Sequence, residues 1–242
     1  MNNPRRMRQL CLALAMGAPL LFNAEIATAQ GNSPKELSAS WQQWALSIPT
    51  PVNPQLDTTG ANCMVGQNGP IWFLAGVFGG SSEPITRDCS IPSDKALFFP
   101  VANAVNINTP GVCGQVGELS VRDLRAASAD AMSAVTDFSV ELDGESVNKL
   151  VKSIRSEAFA TVLPEDNVFD APCQGAGLGN VPAGIYSPSV DQGLYVKIDN
   201  LKPGSHTLHI SANGPSPQDV TYHLDVVPVS LGKPGMQTGD EE

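Results

Sequence analysis

His209 and His223 are the side chains in this 242-residue chain whose spacing most invites chemistry. Both fall on the solvent-facing phase of two β-patterned segments joined by the loop 213–218. A hairpin turning near residue 215 or 216 would set them roughly opposite each other, with Thr207 and Asp225 nearby. Two imidazoles and a carboxylate on neighbouring strands are donor types that hold a divalent cation. His209, His223 and Asp225 are therefore the candidate metal set, and a metal-assisted secreted hydrolase is the activity it would serve. His206 falls on the opposite phase and stays out of the set. Two exposed histidines in a sheet account for the same pattern without any metal, and no other motif calls for a cofactor.

Asp57, Asn62, Gln67 and Arg87 are the candidate binding residues. A guanidinium beside buried strands needs a partner, which Asp57 or Asp88 can supply. Either that ion pair fixes the loop before the first strand, or the four side chains line a ligand cleft at one end of a β-sandwich, where loops gather. Nucleophile motifs are weak. No Gly-x-Ser-x-Gly elbow occurs, and Ser146-Val147-Asn148-Lys149 matches Ser-x-x-Lys without its companion motifs. Glu165, Asp166 and Asp170 sit close in sequence, in a loop better suited to solvation or calcium than to glycosidase chemistry. No catalytic residue is assigned.

The elements that must position these residues begin after a leader. Arg5, Arg6 and Arg8, the apolar Leu10–Phe22 and Ala27-Thr28-Ala29 read as a signal peptide over 1–29. No later stretch is apolar for long enough to span a bilayer, so the mature product is expected to be exported, to the periplasm or beyond, and not integral to a membrane. Loss of three arginines and Glu25 moves the formal charge from −10 to −12. An acidic chain with thinly spread Lys and Arg is a poor match for phosphate backbones. Nucleic acid is excluded as a partner, and a cation or a neutral polymer stays open. Cys63, Cys89, Cys113 and Cys173 remain in the mature chain. An even number in an exported protein argues for two disulfides, and Cys63–Cys89 with Cys113–Cys173 is the favoured pairing because the first two share one core unit.

That core unit is 60–105, with an apolar run, Ile71–Phe78, read as one buried strand and a second run from Ala96 to Val101. Cys89 is placed between the two strands. Ahead of it, over 30–56, Ser33-Pro34-Lys35-Glu36 is a capping box. It opens a helix with Leu37, Trp41, Trp44 and Ile48 on one face, followed by a proline-rich connector. A second helix is expected near 118–135, capped at Ser120. Phe138–Leu142 alternates as a strand ahead of the Asp143-Gly144 turn, a short strand is placed near 158–162, and 170–184 reads as a Gly-rich loop. Alternation then predicts strands over 194–198, 207–211 and 222–226. The domain runs from 57 to 231, and 232–242 is an acidic tail.

The strings GQNGPIWFLAG, Arg87-x-Cys89-x-Ile91-Pro92 and LFFPVAN resemble a group of uncharacterised exported bacterial proteins. DQGLYVKIDNLKPGSHTLHISA and DVTYHLDV are similar to the last strands of immunoglobulin-like or jelly-roll sandwiches. The resemblance implies export and fold, and carries no catalytic assignment. The expected architecture is mainly β, an antiparallel sandwich of immunoglobulin-like or jelly-roll type with two accessory helices. Its expected role is a disulfide-stabilised binding or envelope-associated module.

Overall fold

The computed structural model describes residues 33–81 and 83–229; the leader over 1–29 and the tail over 232–242 lie outside them. Helix α1 (Pro34–Ser47) starts where the capping box places it. Ser33 Oγ accepts from the Glu36 N–H at 3.3 Å, and the Glu36 carboxylate takes the Ser33 N–H at 3.1 Å. Helix α2 (Val121–Ser133) opens the same way, with Ser120 and Asp123 exchanging bonds. Each cap satisfies two N–H groups that the helix itself leaves free. Ser33→Ala is accordingly expected to lower unfolding stability by about 1 kcal/mol, read from the urea midpoint, and Glu36→Ala to fall in the same range.

The strands are β1 (Ile71–Phe73), β2 (Ile85–Pro92), β3 (Ala96–Ile107), β4 (Phe138–Leu142), β5 (Glu145–Ser146), β6 (Lys152–Arg155), β7 (Phe159–Leu163), β8 (Gly184–Ile198), β9 (Gly204–Ala212) and β10 (Gln218–Val227). A third, short helix α3 (Asp170–Gly175) lies within the stretch expected to be loop. One sheet runs β1-β3-β8-β6, with β7 also paired to β8; the other runs β2-β10-β9-β4-β5. Both are mixed, because β1 pairs with β3 and β2 with β10 in parallel, while the other pairs are antiparallel.

The two sheets face each other across one core. Leu97, Phe99, Val101 and Val196 from the first meet Val140, Ile210, Tyr222 and Leu224 from the second, all buried. On the far side of the first sheet, Trp41, Trp44 and Leu37 of α1 pack on Phe73, Phe98, Ile154 and Tyr195. Phe98 and Tyr195 stack there at 5.1 Å, and Trp41 Nε1 donates to the Leu74 carbonyl at 2.9 Å. The result is a sandwich with a helix laid on one face, so its apolar helical stripe is buried as the spacing of the tryptophans requires. Disulfides join Cys63 to Cys89 and Cys113 to Cys173. Cys89 lies within β2, not between strands. There it faces inward with Arg87 and Ile91 while Thr86, Asp88 and Ser90 face out.

Candidate functional site

The expected strand Ile71–Phe78 stops at Phe73, and the site is built by what happens next. β1 and β3 lie side by side over Ile71–Phe73 and Ala96–Phe98. A last bond joins the Leu74 N–H to the Phe98 carbonyl at 3.2 Å. The chain then leaves the sheet, and other parts of the protein take up its main-chain groups. Arg87 Nη1 donates to the carbonyls of Ala75 at 2.6 Å and Gly76 at 3.3 Å, and the Tyr222 hydroxyl donates to Ala75 at 2.7 Å. The Gln218 carboxamide pairs with Val77 as a strand would, accepting its N–H at 2.7 Å and donating to its carbonyl at 3.0 Å. The Phe78 N–H reaches the Gln55 carbonyl at 3.2 Å.

This departure leaves the second half of β3 with a strand on one side only. Main-chain bonding at Asp191 shows which groups face the open side. Its N–H donates to Ser156 Oγ at 2.9 Å and its carbonyl accepts from the Ser156 N–H at 2.9 Å, both away from β3. Val105, its register partner, therefore belongs to a non-hydrogen-bonded pair, and its own N–H and C=O point away from β8. Alternation along the strand gives Asn103, opposite Gly193, the same orientation. Outside the β3–β8 ladder, no bond to these four groups is found among the described residues.

The gap beside that edge is a cleft of about 360 Å³, at the lower end of the range for ligand pockets. Residues 103–106 of β3 form one wall and Val77–Gly79 the opposite one. Ala127, Ala131 and Met132 close it from α2 and Val135 from just beyond that helix, Gln42 and Leu46 from α1, with Gln55, Phe169 and residues 215–218 at its margins. None of its lining side chains ionises. Gln55 is 7 % exposed, and its Oε1 finds no hydrogen-bond partner among the described residues. A buried acceptor left bare costs about 1–3 kcal/mol.

Behind the cleft lies a buried carboxylate. Asp191 accepts from Gln42 Nε2 at 2.7 Å and Asn103 Nδ2 at 3.4 Å on one oxygen, and from the Tyr195 hydroxyl at 2.8 Å on the other. Burial pushes its pKa up to about 7, against the pull of those three donors. Burial, and then the neighbouring Asp191, raise Tyr195 well above the usual phenol range. Because a carboxylate only accepts, it orients both amides with N–H inward. Gly193 completes the packing: a Cβ there would lie 2.7 Å from Asn103 Cβ and 2.8 Å from the Tyr195 ring.

The residues singled out from sequence lie elsewhere. Arg87, 1 % exposed, donates to the Asp57 carbonyl at 2.7 Å and to the Tyr222 hydroxyl at 2.8 Å. Asp57 turns its carboxylate into its own loop, accepting from the N–H groups of Thr59 and Asn62 at 2.8 Å. No ion pair joins Arg87 to Asp57 or Asp88 among the described residues. Gln67 pairs with both main-chain groups of Phe73. The space between Asp57 and Arg87 has no room for a water molecule. Gly60, at φ +90°, packs so closely that a Cβ would lie 2.1 Å from the Asp88 carbonyl oxygen.

His209 is opposite Thr221, and His223 opposite Thr207. The hairpin is centred at 215, which makes the two histidines diagonal rather than facing. Each has its own carboxylate: His209 Nε2 meets Asp219 at 2.9 Å and His223 Nδ1 meets Asp88 at 3.1 Å. Asp225 and His223 share an open groove of about 480 Å³ with Asp88, Asp143 and His206, without His209. No group of three His, Cys, Asp or Glu is gathered to hold a metal among the described residues. Asp170 is buried and accepts from the N–H groups of Asn167 and Val181. Comparison with protein-family models, with curated proteins and with solved structures finds no match. The cleft is read from its own chemistry.

Proposed function

We propose that this protein is an exported binding module, non-catalytic and envelope-associated, whose ligand enters the cleft along β3. Support for export comes from the leader motif and from two disulfides, bonds that persist in oxidising compartments. No helix among the described residues is long and apolar enough to cross a membrane. The observation that carries the binding reading is the pairing of an uncharged lining with the main-chain edge of Asn103 and Val105 that no strand covers among the described residues. Such groups position a ligand through hydrogen bonds and apolar contact, and none is a nucleophile matched with a base. An uncharged cleft in an acidic chain favours a neutral ligand over a cation, since nothing there balances a buried positive charge.

Labelled protein titrated with two pools, uncharged random heptapeptides and neutral oligosaccharides, tests this. Amide resonances of Gln42, Gln55 and residues 103–106 are expected to shift with at least one pool. Ala131→Trp, which fills the cleft from α2, is expected to abolish the response while leaving the thermal midpoint within a few degrees. The reading fails if neither pool moves these signals. Stoichiometric zinc, lost in both His209→Ala and His223→Ala, would then favour the hydrolase alternative.

A further inference from the structure

We infer that the ligand of this cleft is an extended peptide, added to the first sheet as a new strand against β3. This rests on the binding reading above and names its ligand class. The argument starts from the main chain. Val105 and, by alternation, Asn103 present both N–H and C=O to the open side, because Asp191 spends its own pair on Ser156. Donor and acceptor repeating at every second residue is the pattern that another strand satisfies. A saccharide has no such period, and side-chain amides alone would not require four successive residues of one strand to line the cleft.

The opposite wall cannot close the gap by itself. Val77 has both its main-chain groups committed to the Gln218 carboxamide, and Phe78 has its N–H on Gln55. The slot that β1 vacates is thus bounded by one unpaired edge and one satisfied edge, which sets the side on which a peptide bonds. At about 3.3 Å per residue, residues 103–105 pair with a segment of about three residues. Peptide side chains would alternate between the α2 wall, where Ala127 and Ala131 leave room for apolar groups of moderate size, and the side of Gln42 and Gln55.

The test uses uncharged heptapeptides selected by phage display on the full mature chain, followed by N-methylation of each peptide position in turn. Strand addition predicts a loss of tenfold or more at alternate positions and little change between them. Val105→Pro removes an edge-facing N–H, a substitution that edge strands tolerate, and is expected to weaken binding at least tenfold. N-methylation of the ligand does not depend on that variant folding. Loss without a two-residue period would overturn the inference. So would binding of neutral oligosaccharides in place of peptides, although the cleft would keep its role. No response to either pool would remove the cleft reading and this one together.

Discussion

At about pH 8 the Asp191→Asn variant is expected to be more stable than the wild type, with the advantage vanishing near pH 4. The cause is a carboxyl wholly removed from water, whose pKa burial pushes up to about 7. In the unfolded chain the same group titrates near 3.9. Between those values the folded state holds a proton that the unfolded state has released, so the stability Asp191 contributes is complete below about pH 4 and lost as pH rises through about 7. The difference of about three pH units corresponds to roughly 4 kcal/mol. Asn keeps an acceptor for Gln42 and Asn103, and its amide donates to the Tyr195 oxygen once the hydroxyl turns. Urea unfolding of both proteins across the range isolates the effect, because the carboxylates held acidic by their hydrogen bonds, Asp57 and Asp143 among them, are common to both. A difference that stays constant with pH would show that Asp191 is ionised throughout.

Asp191 also bears on recognition. Its oxygens fix the orientation of Gln42 and Asn103, and its main chain, tied to Ser156, turns Val105 toward the cleft. One residue therefore sets a side-chain lining and a main-chain edge.

Most of the scaffold was legible because it follows local rules. Ser33 with Glu36 and Ser120 with Asp123 announce both long helices. Strict alternation announces the C-terminal third of β8 and the centres of β9 and β10, and the shared core unit pairs Cys63 with Cys89. β2 was hidden because a cation, Arg87, occupies an inward position and breaks the apolar alternation that reveals a strand. The run from Ile71 to Phe78 signals burial but not pairing. Leu74 and Ala75 are as buried as the strand before them, and only remote side chains decide that β1 ends. Of the two turn centres that the loop allows, 215 and 216, the structure takes 215, which makes the histidine pair diagonal rather than facing. The cleft could not be foreseen. Its walls come from separate segments, and its distinctive groups are main-chain atoms that no residue pattern marks.

Arg87 is where scaffold and site meet, and its replacement is expected to damage both. Arg87→Met removes the donors to the carbonyls of Asp57, Ala75 and Gly76 and to the Tyr222 hydroxyl. The methionine fills part of the space but bonds none of them. Orphaned carbonyls at about 1–3 kcal/mol each, less what relaxation and water recover, put the loss at about 3–5 kcal/mol in unfolding stability. A buried ion pair exchanged whole for apolar residues often costs little, because no charge is left behind. Here the partners are carbonyls that stay in place when the cation goes, so that exchange does not apply. Arg87→Lys keeps the charge but has no planar fork to reach Asp57 and Ala75 at once, and should recover less than half of the loss. Freed from Arg87, Ala75 and Gly76 can follow β1 along β3, which narrows the slot. Hydrogen exchange at Asn103 and Val105 should then slow relative to the rest of β3. A methionine variant of wild-type stability would show that the carbonyls find other donors, and unchanged exchange at the edge would show that Tyr222 and Gln218 suffice to hold the segment after β1 away.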